Sequence, residues 1–258
     1  MTLKEKLEYH YRAFDKSRLS PDPLQFLHLF EDEKDIEAMG FIASIFAYGN
    51  VTQIINILNR FVRLANNKPY AFILNFGKQD LRAGTLIHRF YSLKDVSDFF
   101  VLMSKAYRQY GSLKELFLKY YDPGSSNLKE AISGFSGYFI ENYKKINNKK
   151  VLSIGSKFMF PVPEKGGACK RMNLFLRWMV RKDDLDFGLW REIHTSKLVI
   201  PVDTHVARIS RSLRLTKRKN VSWKMAEEIT EKLKKFDPSD PVKYDFAICH
   251  IGMRRMKF

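Results

Sequence analysis

The chain has 258 residues, of which 45% are hydrophobic and 14% aromatic, and this composition predicts a folded protein with a sizeable core and excludes a disordered one. Lys and Arg total 45 against 28 Asp and Glu, giving a net charge of +17. Such an excess favours nucleic acid as the partner, because spread cations release counterions from phosphates. The two cysteines, Cys169 and Cys249, are too few for a thiolate-held zinc or iron–sulfur site.

Two alternatives to nucleic acid remain at this point: an acidic membrane surface and a generally basic soluble protein. The N-terminal segment MTLKEKLEYHYRAF is charged and has no apolar signal core, and no run of 18 apolar residues follows it. We therefore expect no membrane association and a cytoplasmic, nucleoid-associated protein. We also expect a monomer.

Amphipathic spacing predicts helices almost throughout the chain, beginning with residues 33–47. There Ile36, Met39, Ala43 and Phe46 fall on one face, at spacings of three and four residues. The first predicted helix is interrupted at GN (49–50).

Asn50 is a predicted N-cap for the second helix, whose apolar stripe runs from Val51 to Ala65. Further amphipathic stretches cover residues 92–109, 111–121, 127–145, 168–182, 203–213, 221–236 and 241–254. Helix breakers separate several of them, at DPGSS (122–126), PVPEKGG (161–167) and DPSDP (237–241). No β-hairpin signal or internal repeat is present, so the predicted fold class is all-α, with NNKK (147–150) as a candidate seam.

The segment EKGGACKRMNLFLRWMV (164–180) places Lys170 in the first turn of a predicted helix, directly after a turn that contains Gly166 and Gly167. A helix N-terminus disfavours a cation and so lowers the pKa of an amine, as a nucleophilic lysine requires. Glycines also let the backbone approach a phosphate closely. The alternative is an ordinary surface lysine that follows a loop.

In LVIPVDTHVAR (198–208), Pro201 ends an apolar run and Asp203 stands at a helix start, where an N-cap is the simplest interpretation. His205 is more often packed or hydrogen-bonded than a ligand, and the two residues are too few for a metal site.

Acidic residues also cluster after the preceding helix, at Asp183, Asp184 and Asp186. We predict that these three form a solvated turn and do not bind a divalent metal.

Four cations, Arg208, Arg211, Arg214 and Lys217, recur every three residues within RISRSLRLTKRKN (208–220). On one helix they would share a side and suit a phosphate backbone, and a solvated basic face is the equal alternative.

The segments GGACKRMN and PVDTHVARI together resemble the helix-hairpin-helix DNA glycosylase superfamily, the group of endonuclease III and the 8-oxoguanine glycosylases. Gly166, Lys170 and Asn173 match its G-x-G-x-K-x-x-N hairpin, with Ala168 in place of the second glycine. The long separation of Lys170 from Asp203 is more similar to the archaeal 8-oxoguanine glycosylases. Residues 165–252 most densely resemble DUF2400, an uncharacterised bacterial family placed in this superfamily.

The resemblance implies a two-lobed helical fold with a cleft, one lobe being residues 33–182 and the other residues 1–32 plus 183–258. It implies base-excision repair of double-stranded DNA, with Lys170 as Schiff-base nucleophile and Asp203 as catalytic acid of a glycosylase with AP lyase activity. The damaged base would be an oxidised purine such as 8-oxoguanine. FAICHIGM (246–253) resembles the helix before the iron–sulfur cluster of endonuclease III, but the cluster cysteines are missing. No cluster is therefore expected, and a monovalent cation at the hairpin is the remaining cofactor candidate.

The resemblance also implies a DNA-binding surface, in which Tyr48 is a candidate wedge for the gap left by a flipped base. Its predicted members are Gly166, Gly167, Tyr48, Asn50, Arg171, His205, Arg208, Arg211, Arg214 and Lys217. Stacking of the base is predicted for Phe175, Trp178 and Trp190, for which core packing is an equal alternative. The alternative function is a non-catalytic DNA- or RNA-binding helical protein in which Lys170 contacts phosphate.

Overall fold

A computed structural model describes residues 2–77, 81 and 88–254, with side chains up to residue 249. Within those ranges the chain is mostly helical and forms no β-strand, apart from two isolated antiparallel bridges, His88–Tyr91 and Lys182–Phe187. The predicted all-α fold class is confirmed. Over the same ranges, no helix is both long enough and apolar enough to cross a bilayer.

The helices are joined by connections that differ widely in length. In chain order they are α1 (Leu3–Arg12), α2 (Glu33–Phe46), α3 (Val51–Leu64), α4 (Pro69–Leu74), α5 (Leu93–Tyr110), α6 (Leu113–Leu118), α7 (Lys129–Asn147), α8 (Ile154–Met159), α9 (Lys170–Val180), α10 (Thr204–Ser212), α11 (Trp223–Lys234) and α12 (Asp245–Arg254).

The helices predicted from periodicity are present, and Asn50 caps α3 by accepting hydrogen bonds from the backbone N–H groups of Thr52 and Gln53. Three helices were not predicted. Helix α1 is strongly charged and buries only Leu7, so it lacks an apolar stripe. Helices α4 and α8 have six residues each, too few for a period to show.

Two compact units make up the chain. The terminal unit comprises the described residues of Met1–Leu19, Pro123–Lys129 and Val162–Phe258, and the central unit those of Ser20–Asp122 and Glu130–Pro161. The chain leaves the central unit at Pro161, and the candidate seam at 147–150 lies inside that unit. Residues 162–182 belong with the terminal unit, and residues 20–32 with the central unit, where the predicted lobes had them reversed.

The core of the terminal unit contains three fully buried tryptophans, Trp178, Trp190 and Trp223. Helix α10 packs against α12, and α1 packs against α12 as well. Tyr244 donates a hydrogen bond of 2.5 Å to Glu8, which ties the segment before α12 to α1. The terminal unit thus holds α9, α10 and α12, on which the candidate site lies.

The central unit has a core of phenylalanines, in which Phe41 contacts Phe99, Phe135 and Phe139 at ring-centroid distances of 5.5 to 5.6 Å. Helix α2, which carries Phe41, is buried along most of its length.

Candidate functional site

The turn before α9 is built around Gly166, which adopts a left-handed conformation with φ of 85° at the end of a short 3-10 turn (Pro163–Lys165). Its carbonyl accepts a 3.0 Å hydrogen bond from the backbone N–H of Trp223, the first residue of α11. Gly166 and Gly167 are both exposed. The backbone N–H of Gly166 donates to the carbonyl of Pro163 at 2.9 Å, so both polar groups of the Gly166 backbone are used within the protein, and the phosphate contact stays a prediction.

The turn closes directly onto the first turn of α9. Cys169 precedes the helix in a left-handed conformation with φ of 48°, and the buried amide of Asn173 donates to the carbonyl of Ala168 at 3.1 Å. The described residues with positive φ include Cys169 but not Ala168. Alanine at position 168 is therefore compatible with this turn, because the left-handed conformation falls on the next residue.

Lys170 and Asp203 form an ion pair, although 33 residues separate them in the chain. The Nζ of Lys170 lies 2.9 Å from Oδ2 of Asp203, and the two side chains are 31% and 21% exposed. Lys170 is the first residue of α9, and Asp203 directly precedes α10. Each charge thus lies at a helix start and keeps partial access to solvent.

Asp203 is also the N-cap of α10, as predicted. Its Oδ1 accepts hydrogen bonds from the backbone N–H groups of His205 and Val206 at 2.8 and 2.9 Å, and its Oδ2 faces Lys170. Burial raises the pKa of this carboxyl, but the charge and hydrogen bond of Lys170 and the backbone N–H of Val206 lower the pKa by more. The carboxylate therefore stays ionised, with one oxygen for the cap and one for the lysine.

A buried ionic network lies next to this pair on α9, and the sequence did not predict it. Arg177 donates from Nε and Nη2 to Asp186 at 3.0 and 3.2 Å, and from Nη1 to Asp245 at 2.6 Å. All three side chains are at most 3% exposed. Burial raises the pKa of Asp245 to about 6, although Arg177 opposes this shift.

Arg181, which directly follows α9, extends the network. Its guanidinium contacts Asp183, Asp186 and Asp240 and is also buried. The predicted solvated turn is therefore wrong for Asp186, which is fully buried between two guanidinium groups, whereas Asp184 is exposed. The available signal was the pair of arginines in RWMVR, which are four residues apart with only apolar residues between them.

The basic row does not lie on one helix. Helix α10 ends at Ser212, so Arg208 and Arg211 are helical, while Arg214 adopts a left-handed conformation with φ of 57° and Lys217 lies in the following loop. All four are exposed. Arg211 donates from Nη1 to the carbonyl of Lys219 at 3.1 Å, which holds the loop against the helix. The exposed cations remain close in sequence, but they are spread over a helix end and a loop.

Other predicted contact residues of the terminal unit are divided between surface and core. His205 is exposed on the first turn of α10. Arg171 is buried, so its guanidinium is not presented to a phosphate backbone. The predicted base-stacking residues are also in the core, where the rings of Phe175 and Trp190 meet edge to face at 5.1 Å. Trp178 is buried as well, so none of the three offers an open ring face.

Tyr48 and Asn50 lie in the central unit, between α2 and α3. The half-buried Tyr48 ring packs on Phe158 at 4.5 Å between centroids, and the guanidinium carbon of Arg89 lies 4.7 Å from its centroid. Neighbouring Phe90 is 38% exposed. Tyr48 is thus covered by aromatic and cationic neighbours, and Asn50 uses its side-chain oxygen as the cap of α3.

In the part of the chain that the structure describes, no group of three or more His, Cys, Asp or Glu side chains is arranged to hold a metal ion. Cys169 and Cys249 do not form a disulfide. Burial raises the pKa of the Cys169 thiol to about 12, so this thiol stays protonated at neutral pH.

No curated protein and no solved structure matches the chain. A family model described as "Protein of unknown function (DUF2400)" matches residues 22–254, a range that contains α2 to α12 and both members of the ion pair. The chain belongs to the DUF2400 family.

Proposed function

We propose that the protein is a DNA glycosylase with AP lyase activity, in which Lys170 is the nucleophile and Asp203 stabilises the reacting sugar. The observation that carries the proposal is the 2.9 Å contact between Lys170 Nζ and Asp203 Oδ2. A lysine beside a carboxylate, each at a helix start and partly open to solvent, supplies the nucleophile and the charge that this chemistry needs. The helix-hairpin-helix resemblance of the two segments supports the same assignment.

The exposure of the pair distinguishes it from the structural ion pairs nearby. The side chains of Arg177 and Asp186 are 3% and 0% exposed, whereas those of Lys170 and Asp203 are 31% and 21% exposed. A substrate atom is therefore able to reach Lys170 Nζ, and its proton is able to leave to water. The exposed cations Arg208, Arg211, Arg214 and Lys217 are suited to phosphates of the same DNA.

In the first step the deprotonated Nζ of Lys170 attacks C1′ of the sugar. The N–C1′ bond forms as the glycosidic bond breaks, and the base leaves with the bonding electron pair and takes up a proton. The Asp203 carboxylate stabilises the positive charge that develops on the sugar during this exchange. Nζ then loses one proton to water, the C1′–O4′ bond breaks and O4′ takes up a proton. The sugar ring is thereby opened, and a protonated imine joins Lys170 to C1′.

In the second step loss of a proton from C2′ breaks the C3′–O bond and expels the 3′ phosphate, which nicks the strand. Water then hydrolyses the imine and regenerates the free Lys170 amine. No metal or redox group is consumed in this sequence. The glycosylase and lyase activities thus both depend on one amine.

Borohydride trapping tests the proposal, because the reductant converts the imine into a stable covalent adduct. We expect the wild-type protein to form an adduct with duplex DNA that contains a damaged base, with 8-oxoguanine as the first lesion and an abasic site as the second. Lys170→Ala should abolish the adduct. Lys165→Ala is the matched control, since Lys165 is an exposed lysine of the same turn and should be dispensable for trapping.

Two outcomes contradict the proposal. Absence of an adduct across a broad panel of oxidised, alkylated and deaminated bases rules out the lyase, and DNA or RNA binding without an adduct supports the non-catalytic alternative. An adduct that persists in Lys170→Ala shows that another amine is the nucleophile.

A further inference from the structure

We infer that Asp245 is a positioning residue that sets, through its charge, the pH at which Lys170 becomes a nucleophile. The inference rests on the proposed function. It concerns a buried carboxylate that contacts Arg177 and belongs to the network next to the Lys170–Asp203 pair.

Helix α9 presents two cations to two carboxylates. Lys170 and Arg177 are seven residues apart and therefore share a face of the helix, with about 10 Å of axial rise between them. Lys170 contacts Asp203, which directly precedes α10, and Arg177 contacts Asp245, the first residue of α12. Because α10 packs against α12, both carboxylates reach the same side of α9.

The charges that act on Asp245 come from each of these elements. Arg177 and Lys170 of α9 lower the pKa of Asp245, whereas Asp203 before α10 raises it. Asp186 accepts hydrogen bonds from the same Arg177 guanidinium that donates to Asp245. These influences are mutual, so a charge on Asp245 acts on Lys170 and Asp203 in turn.

The remaining neighbours of α12 and α10 are engaged elsewhere or are solvated. On the α1 side, Glu8 is bound by Lys243 and Tyr244, and Lys243 also contacts Asp237. On the α10 side, His205 is exposed to water, and its charge also lowers the pKa of Asp203. Asp245 is therefore a buried carboxyl on which both members of the ion pair act.

The direction of the effect follows from the signs of the charges. An ionised Asp245 stabilises the Lys170 ammonium and so disfavours its deprotonation to the neutral amine. Neutralisation of Asp245 releases this restraint, and Lys170 then loses its proton at a lower pH. Asp245 thus links a buried titration to the reactivity of a partly exposed amine.

The test is the pH profile of adduct formation in Asp245→Asn, which removes the charge and keeps a side-chain oxygen for Arg177. We expect the acid limb of the rate–pH profile to shift by about one unit towards lower pH. At a given pH on that limb, the variant should therefore be trapped up to about tenfold faster than the wild type. Asp245→Glu should restore the wild-type limb. Asp240→Asn is the matched control, because it removes a carboxylate from Arg181 in the same network and should leave the limb in place.

A second measurement needs no activity. Lysines are methylated reductively with ¹³C, the Lys170 signal is assigned by its absence in Lys170→Arg, and its titration is followed by NMR. Asp245→Asn should shift that titration to lower pH. If this variant does not fold, the wild-type Lys170 signal should itself show a second inflection near pH 6, where Asp245 titrates.

The outcomes separate this inference from the proposed function. The role of Asp245 is overturned if the wild type is trapped but Asp245→Asn changes neither the acid limb of the pH profile nor the Lys170 titration. It is also overturned if the wild-type Lys170 NMR signal lacks the second inflection. If Asp245→Asn shifts the Lys170 titration but the protein never forms an adduct, the charge coupling between Asp245 and Lys170 is supported and the proposed lyase activity is contradicted.

Discussion

Arg177 donates to both carboxylate oxygens of Asp186, at 3.0 and 3.2 Å, and the two side chains are 3% and 0% exposed. Neither charge is solvated, so each depends on the other for compensation. Burial by itself lowers the pKa of Arg177, but Asp186 and Asp245 raise the pKa by more and keep the guanidinium charged. The pair is therefore a structural anchor of the terminal unit, and breaking it has a measurable cost.

We expect Asp186→Asn to lower the free energy of unfolding by about 3 kcal/mol, because it leaves buried guanidinium charge without its main partner. Urea denaturation measures this loss. Asp184→Asn is the control, since Asp184 belongs to the same turn but is exposed, and a change within about 0.5 kcal/mol is expected there. Equal stability of the two variants would show that the network is not an anchor.

Asp203 both caps α10 and carries the negative charge that faces Lys170, and two substitutions separate these roles. Asparagine caps a helix as well as aspartate does, so Asp203→Asn should keep the α10 cap, whereas Asp203→Ala should cost about 1 kcal/mol more in stability. Thermal denaturation compares the two variants. Both lack the carboxylate and should lose most borohydride trapping. Full trapping by Asp203→Asn would mean that the residue only caps the helix.

Asp245 predicts a pH dependence of stability. Burial raises its pKa to about 6 from an ordinary value of 3.8, so the folded protein binds this proton more tightly than the unfolded chain does. Its contribution to stability is therefore least favourable above pH 6 and improves as the pH falls from 6 towards 4.

Denaturation of the wild type and of Asp245→Asn between pH 4 and pH 8 isolates this contribution. The stability of the wild type relative to the variant should rise as the pH falls through 6. A difference that does not change over this range would contradict the raised pKa.

The exposed loop cations predict salt-dependent DNA binding. If Arg214 and Lys217 each contact one phosphate, the double variant Arg214→Gln/Lys217→Gln should flatten the plot of log binding constant against log salt by about 2. Fluorescence anisotropy with duplex DNA measures the slope. Lys232→Gln/Lys235→Gln removes the same charge from exposed positions at the end of α11 and should leave the slope unchanged. Equal salt-dependence slopes for the two double variants would show that the loop with Arg214 and Lys217 does not contact DNA.

Much of the fold and part of the site could be predicted from the sequence. Local signals determine the N-caps at Asn50 and Asp203 and the glycine turn before Lys170, because these depend on neighbouring residues. The contact between Lys170 and Asp203 depends on how α9 and α10 pack, which spacing does not show. Only the resemblance brought the two residues together before the structure did.

The wrong predictions have physical causes of the same kind. Asp186 looks like part of a solvated acidic turn, but the turn folds back onto arginines that precede it in α9. The row from Arg208 to Lys217 keeps a helical period in sequence, but the helix ends at Ser212. Charge alone therefore did not distinguish a buried partner from a solvated surface.

The hydrogen bond between Tyr244 and Glu8 joins positions that are 236 residues apart, and α1 packs on α12 in the same region. Closing a loop of this length is slow, and during synthesis α1 emerges long before its partner does. We expect the central unit to fold first on the ribosome. Until α12 is synthesised, α1 has no partner helix to pack against and its Leu7 side chain is exposed to solvent. Nascent chains halted before α12 should thus be more sensitive to proteolysis at α1 than the released protein.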